Sequence, residues 1–273
     1  MSPSPVLILA PRVTDDSVSV WRAALANGWT SHRLSNWRVP EDLKVQTGDF
    51  VIYAEPLFAE AVADQMGLAL MEPPTTRLPS LPDEFVHRKI ALLRLSEAAL
   101  LDRPTFVKPA EGKVFEPRVF PAGSELPSVE QVGDIAVLIS DPVTFILEVR
   151  CFVAGGKVIS ASPYWRNEKL AVTMDGRWPF LESEEEEALE FAGKVLGHPE
   201  VACPPAFVLD VGITREHGWA VIEGNPCWGA GLYGCDPLAA LQCGRISLRR
   251  RNELTPEHLK WISKRQSTTP QPL

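Results

Sequence analysis

Phe207-Val208-Leu209-Asp210-Val211, the polar turn Thr214-Arg215-Glu216-His217-Gly218, and Ala220-Val221-Ile222-Glu223-Gly224-Asn225 read together as a β-hairpin: two short apolar runs around a turn. Successive strand residues point to opposite faces, so Phe207, Leu209 and Val211 share one face while Val208 and Asp210 share the other. On the returning strand, Glu223 and Asn225 fall on one face and Ala220 and Ile222 on the opposite one. A hairpin centred between Glu216 and His217 sets Asp210 opposite Glu223 and Val208 opposite Asn225.

Directly opposed strand residues have Cβ atoms about 4.5–5.5 Å apart, where like charges repel. The two acids therefore call for a compensating cation. Two carboxylates and an amide oxygen form a hard donor set suited to magnesium, which completes its shell with phosphate oxygens and water. The plain alternative is an exposed hairpin edge with incidental acids, and the shared face of Asp210, Glu223 and Asn225 weighs against it.

Upstream, Phe106-Val107-Lys108-Pro109-Ala110-Glu111-Gly112-Lys113 ends an apolar strand on a lysine, then turns to a second one. Such ammonium groups can neutralise phosphate while amides around Gly112 approach its oxygens, although a strand-ending lysine is commonly just solvated. In Phe145 to Val153, alternation turns Leu147, Val149, Cys151 and Val153 one way and Glu148 and Arg150 the other. Glu148 and Arg150 fit either a solvated ion pair or a guanidinium poised for a transferring phosphoryl group. The apolar strand Ile135 to Ser140 can offer main-chain groups to an adenine edge, with Asp141 in reach of a ribose.

Around this centre the chain reads as α/β. Strands at Val6 to Ala10 and Phe50 to Ala54 alternate with helices at Asp16 to Ala26 and Pro56 to Met66, which implies a small, largely parallel layer. No GxGxxG follows the first strand, so a Rossmann dinucleotide site is not indicated. Pro73, Pro74, Pro79 and Pro82 mark a linker and a boundary, giving a first domain over 1–82 and a second over 83–265. The second is expected to begin with a helix capped by Asp83 and carrying Ile90, Leu93 and Leu100. Strands follow at Thr105 to Lys108, Ile135 to Ser140, Phe145 to Val153, Lys157 to Ser162, Phe207 to Val211 and Trp219 to Glu223. An amphipathic helix over Glu182 to Leu196 carries its acidic run, Glu184 to Glu187, as solvated charge near its positive end. A basic helix around Thr255 to Lys264 and a disordered polar tail over 266–273 close the chain.

The 273 residues carry a net charge of −8 and a pI near 5.3, which disfavours nucleic acid and anionic membranes as partners. No run approaches the roughly 20 apolar residues of a membrane helix. The five cysteines form no CxxC pair and read as reduced thiols in a cytoplasmic protein. A homodimer is the common prior for such a chain.

In order and spacing, Phe106-Val107-Lys108-Pro109, Glu148-Val149-Arg150, Asp210-Val211-Gly212 and Glu223-Gly224-Asn225-Pro226 resemble the ATP-grasp superfamily over roughly residues 84–240. Glu148-Val149-Arg150 with Arg166 is similar to glutathione synthetase and to the ligase that adds glutamates to a ribosomal protein. The compact form resembles a bacterial and phage-associated clade of predicted amide ligases. The resemblance implies an ATP-grasp fold behind a small N-terminal α/β domain, with ATP and Mg2+ as cofactors. It implies Lys108, and Lys89 or its neighbour Arg88, on the ATP phosphates, with Lys113 sharing that work and Glu148 also at the nucleotide. It implies adenine contacts from Val137, Leu138, Ile139 and Ser140, with Asp141 near the ribose. Asp210, Glu223 and Asn225 would hold two magnesium ions, and Arg150, Lys108 and Arg166 would be catalytic. The loop after Lys108 departs from the superfamily in offering only Gly112, and Ile139-Ser140-Asp141 replaces the usual acid or glutamine. Trp228 and Tyr233 follow as pocket or packing residues. The expected activity is a carboxylate–amine ligase acting through an acyl phosphate on small-molecule or peptide carboxylates and amines. A small-molecule kinase and a non-catalytic nucleotide-binding module are the alternatives.

Overall fold

The computed structural model describes residues 4–263, so the expectations for Lys264 and for the tail over 266–273 lie outside the described residues. The first layer is a parallel sheet of β1 (Val6–Leu9), β2 (Thr30–Arg33) and β3 (Phe50–Tyr53) in the order β2-β1-β3. All four residues of β1 are buried, as suits a strand covered on both faces. Helices α1 (Asp15–Ala26), α2 (Glu41–Lys44) and α3 (Pro56–Gln65) connect these strands, and β4 (Leu68–Leu70) follows. Thr14 and Ser17 cap α1 reciprocally, and Pro56 starts α3 where a missing N–H costs nothing.

The second layer is an antiparallel sheet in the order β5-β8-β6-β7. It contains α4 (Asp83–Val86), β5 (Ile90–Arg94), α5 (Leu95–Ala98), β6 (Thr105–Pro109), β7 (Arg118–Phe120), α6 (Val129–Val132) and β8 (Ala136–Ser140). The single helix expected through Ile90, Leu93 and Leu100 is therefore corrected. The helix stops after one turn, Asp83 is its first residue and not its cap, and Ile90–Arg94 pairs with β8. A short apolar run has no period of its own to separate strand from helix, and the unpaired edge of β8 settles it as strand.

The third layer has the order β11-β10-β9-β12-β13, all antiparallel: β9 (Phe145–Ala154), β10 (Lys157–Arg166), β11 (Lys169–Leu170), β12 (Ala206–Thr214) and β13 (Gly218–Asn225). The helix α7 (Glu184–Gly197) covers one face. There Val149, Cys151, Phe207, Leu209 and Val211 pack with Ala188, Ala192 and Val195, as the alternation requires. On the other face Phe152 and Val208 join a core with Leu7, Leu9 and Val51 of the first layer.

The wedge that closes this shared core is α8 (Pro237–Ser247), which the sequence reading did not anticipate despite its Asp236 cap and Pro237 start. After it, β14 (Leu248–Arg250) pairs with β4. The expected basic helix shrinks to α9 (Pro256–Leu259), because the chain then extends and Ile262 bridges to Met71. The proline segment is pinned in place. Arg77 is buried there, donates to the Ala202 carbonyl at 3.2 Å and lies 5.0 Å from the Phe207 ring. Among the described residues no helix is long and apolar enough to cross a membrane.

Candidate active site

A cleft of about 910 Å³ opens between the second and third layers and continues toward the first. Lys108, Lys113 and Leu138 come to it from the β5-β8-β6-β7 sheet, and Arg150, Glu223 and Asn225 from the facing sheet. The expected hairpin register holds at this end: Asp210 pairs with Glu223 and Val208 with Asn225. The assumed symmetry of the turn does not hold throughout. Val211 pairs with Val221 and Thr214 with Gly218, so the hairpin centres on Glu216 and the ladder shifts at Ile222.

One cross-strand row carries the chemistry: Glu223 opposite Asp210, Asp210 opposite Arg150, and Arg150 opposite Ser162. Arg150 holds Asp210 with both prongs of its fork, Nε to Oδ1 at 3.0 Å and Nη2 to Oδ2 at 2.7 Å. The solvated Glu148–Arg150 pair is thus replaced by a buried one, with Asp210 at 0% exposure and Arg150 at 7%. Burial pushes the Asp210 carboxyl above its ordinary value, and Arg150 opposes that. Arg150 also donates to the Gly231 carbonyl at 2.9 Å, and its guanidinium lies 5.3 Å from the Tyr164 ring and 4.8 Å from that of Tyr233.

Glu223 accepts from Lys108 Nζ at 2.5 Å and from Asn225 Nδ2 at 2.8 Å, and the same amide donates to Asp210 Oδ2 at 3.0 Å. The repulsion that the register implies is therefore answered by Lys108, Asn225 and Arg150. Burial pushes the Glu223 carboxyl up, yet the Lys108 ammonium and the Asn225 amide outweigh it and hold the group below 4.5. A folded value below the unfolded one adds stability above about pH 4.5 that is lost as pH falls through the folded value. In Lys108→Met the Glu223 carboxyl is expected to titrate higher than in the parent, read by carbon NMR of its carboxyl. An unchanged titration would remove Lys108 as its counter-ion.

Glu223 and Asn225 on the cleft wall, with Asp210 behind them, are hard oxygen donors of the type magnesium takes. Among the described residues no group of three or more His, Cys, Asp or Glu side chains converges, so the amide belongs to any such donor set. Asn225 now points its NH2 at both acids. A half-turn of that amide would present its oxygen and free a lone pair on Asp210 Oδ2.

The facing sheets, the lysine at the end of β6 and the acid–amide hairpin occur together in one known domain. A profile of the ATP-grasp domain, built for the second family of one of its clades, matches residues 85–243. The chain belongs to that ATP-grasp family. Solved ATP-grasp neighbours share the fold at low identity. N5-carboxyaminoimidazole synthetase from Staphylococcus aureus aligns with a TM-score of 0.53 and 13% identity, over 92% of this chain and 80% of that one. D-alanine–D-alanine ligase from Bacillus anthracis gives 0.51 and 14%, over 89% and 97%. D-cycloserine synthetase DcsG gives 0.51 and 14%, over 87% and 98%. No curated protein matches the chain in sequence.

Other residues expected at the ATP-grasp site are placed differently. β8 is paired on both edges, with β5 and with β6, so the ladders take up main-chain groups of Val137, Leu138, Ile139 and Ser140, and only Leu138 among them lines the cleft. Asp141 is held by Arg103 Nη1 at 2.9 Å and the Lys89 amide at 3.1 Å, and the Lys89 side chain is exposed. Arg88 donates to the carbonyls of Val86, Val221 and Ile222, and burial pushes it down to about 10. Arg166 forks onto Glu184 at 2.5 and 2.8 Å, so one acid of the supposedly solvated run is engaged. Glu148 accepts from the Tyr164 hydroxyl, and burial pushes its carboxyl up.

The loop after Asn225 divides cleanly. Trp228 is fully buried and donates to the Met71 carbonyl, which makes it a packing residue, whereas Tyr233 stacks on Arg150. Burial pushes the Cys227 thiol up to about 12, which leaves it a poor nucleophile. The sequence reading missed Tyr164, because it ended β10 at Ser162, before Pro163. The strand continues through a bulge between Pro163 and Trp165. It also missed Asp16 and Tyr53 of the first layer, which hold the loop through the Leu232 amide at 3.0 Å and the Ala230 carbonyl at 2.8 Å. No local pattern marks those two.

Proposed function

We propose that the chain is an ATP- and magnesium-dependent carboxylate–amine ligase working through an acyl phosphate. The contact of Lys108 with Glu223 across the cleft carries this reading, because it brings a phosphate-binding cation and a metal-binding acid to the same space from opposing sheets. Lys108 and Lys113 bind phosphate oxygens of ATP, and the free main-chain groups of the segment after β8 receive the base. Glu223, Asn225 and, after the amide turns, Asp210 hold magnesium. Magnesium bound there neutralises charge on the phosphate oxygens and orients them.

Arg150 has five N–H donors, of which three are occupied by Asp210 and Gly231, so two remain for the transferring group. Its fixed position requires no reorganisation as charge develops. A substrate carboxylate oxygen bonds to the γ-phosphorus as ADP leaves. The amine nitrogen then bonds to the acyl carbon, phosphate leaves with the C–O bond pair, and the nitrogen loses its proton. The groups on the cleft wall act mainly by positioning, as is general for phosphoryl transfer.

Panels of amino acids and short peptides with ATP and magnesium test the reading, with ADP, phosphate and product mass followed together. The expected result is phosphate release that depends on both substrates and a product lighter than their sum by one water. A product that retains phosphate without an amine would make the enzyme a kinase and overturn the ligase reading.

A further inference from the structure

In an unbroken ladder, Val211 opposite Val221 would set Ile222 opposite Asp210 and turn Glu223 into the core beside Leu209. The structure instead leaves Ile222 without a partner, and Glu223 and Asn225 take the places opposite Asp210 and Val208. One extra residue thus carries both side chains from the core face to the site face, since the side-chain period of a strand is two.

Such a bulge exposes main-chain groups that the ladder no longer takes, and β13 is the edge strand of its sheet. Arg88 takes them. Its Nη1 donates to the Val221 carbonyl at 2.9 Å and its Nη2 to the Ile222 carbonyl at 3.2 Å. A third bond, to Val86 at 2.9 Å, ties the same guanidinium to the end of α4, and Phe145 lies 5.5 Å beneath it. Arg88 reaches this position because α4 ends after one turn, with His87 in the left-handed region at φ 50°.

We propose that Arg88 is a positioning residue for the site, clamping the Val221 and Ile222 carbonyls and so fixing the bulge that delivers Glu223 and Asn225 beside Asp210. The consequence for metal binding rests on the ligand roles proposed above for Glu223 and Asn225. The clamp depends on the planar fork, which reaches two carbonyls at once, whereas a lysine ammonium is a compact point charge on a flexible stem.

Arg88→Met and Arg88→Lys, each compared with the parent, test this through three readouts. Cross-strand nuclear Overhauser contacts on isotope-labelled protein are expected to move from Asp210–Glu223 to Asp210–Ile222 in both variants. Manganese chloride titrated into nucleotide-free protein and followed by electron paramagnetic resonance is expected to bind about 10–100-fold more weakly, the usual effect of losing a residue that orients a ligand. ADP binding in EDTA is expected to stay at the parent value. Retention of the Asp210–Glu223 contacts in both variants would overturn the proposal. So would loss of ADP binding in EDTA with manganese affinity intact, which would make Arg88 a nucleotide contact. Should the methionine variant not fold, the lysine variant carries the same three readouts. Glu223→Gln separates the two ideas: parent-like manganese affinity there removes the metal role of Glu223, while the cross-strand contacts still judge Arg88.

Discussion

Glu223→Gln is expected to lower turnover on the order of 10³-fold while the protein stays folded, the scale for losing one preorganised electrostatic contact in a catalytic site. The substitution preserves size and leaves an amide oxygen that can still accept from Asn225. It removes the charge that faces Lys108 and, in the proposed reaction, magnesium. Stability changes little, because the lost attraction to Lys108 is offset by relief of the repulsion with Asp210 directly opposite. Steady-state phosphate release and a urea melt, made on the same preparation, check both halves. Turnover at the parent rate would remove Glu223 from the metal site, and a collapsed melt would show that its role is structural.

Arg150→Met is expected to have the larger effect on stability, about 3–5 kcal/mol, the range for removing one partner of a buried ion pair. Asp210 has no exposed surface, and Arg150 is the cation that meets both of its oxygens. Loss of the guanidinium leaves that carboxylate in a low-dielectric site with only the Asn225 amide. The deficit has a defined pH dependence. Burial already pushes the Asp210 carboxyl up with Arg150 present, and without Arg150 the opposing influence is gone. A folded value above the unfolded one favours the protonated fold, so the deficit narrows as pH falls toward 4 and widens as it rises. Arg150→Met combined with Asp210→Asn recovers part of the stability, because no unpaired charge remains, and recovers none of the activity. Urea midpoints for the parent, single and double variants between pH 4 and 8 test this. A single variant as stable as the parent at pH 7 would mean that Asp210 is not an obligate counter-ion.

The site was legible wherever it depended on strand alternation. Phe207, Leu209 and Val211 could be assigned to one face and Asp210 to the other from the order of residues alone, and the core confirms it. The Asp210–Glu223 pairing was also reached, although by way of a turn centre that is one half-residue off. The bulge at Ile222 compensates for that difference at the open end of the hairpin. Bulges carry no local signature here, since Ile222 looks like any other strand residue. The helix expected through Ile90 failed for a related reason: an apolar run of five residues fits either period, and its partner strand lies over 40 residues further along.

The chain by itself thus determined which elements form, which face each functional side chain takes, and the order of lysine, arginine, acid and acid–amide along the fold. Those features follow from backbone periodicity and near-neighbour chemistry, which are written locally. The tertiary structure decided the partners. Arg150 meets Asp210 across 60 residues of chain, Lys108 meets Glu223 across 115, and Asp16 reaches the loop at Leu232 across 216. Tyr164 and Tyr233 close on Arg150 only because a bulged strand and a loop arrive at the same guanidinium. Charges buried together must be paired, and the choice of pair belongs to whichever segments packing brings within hydrogen-bond reach of each other.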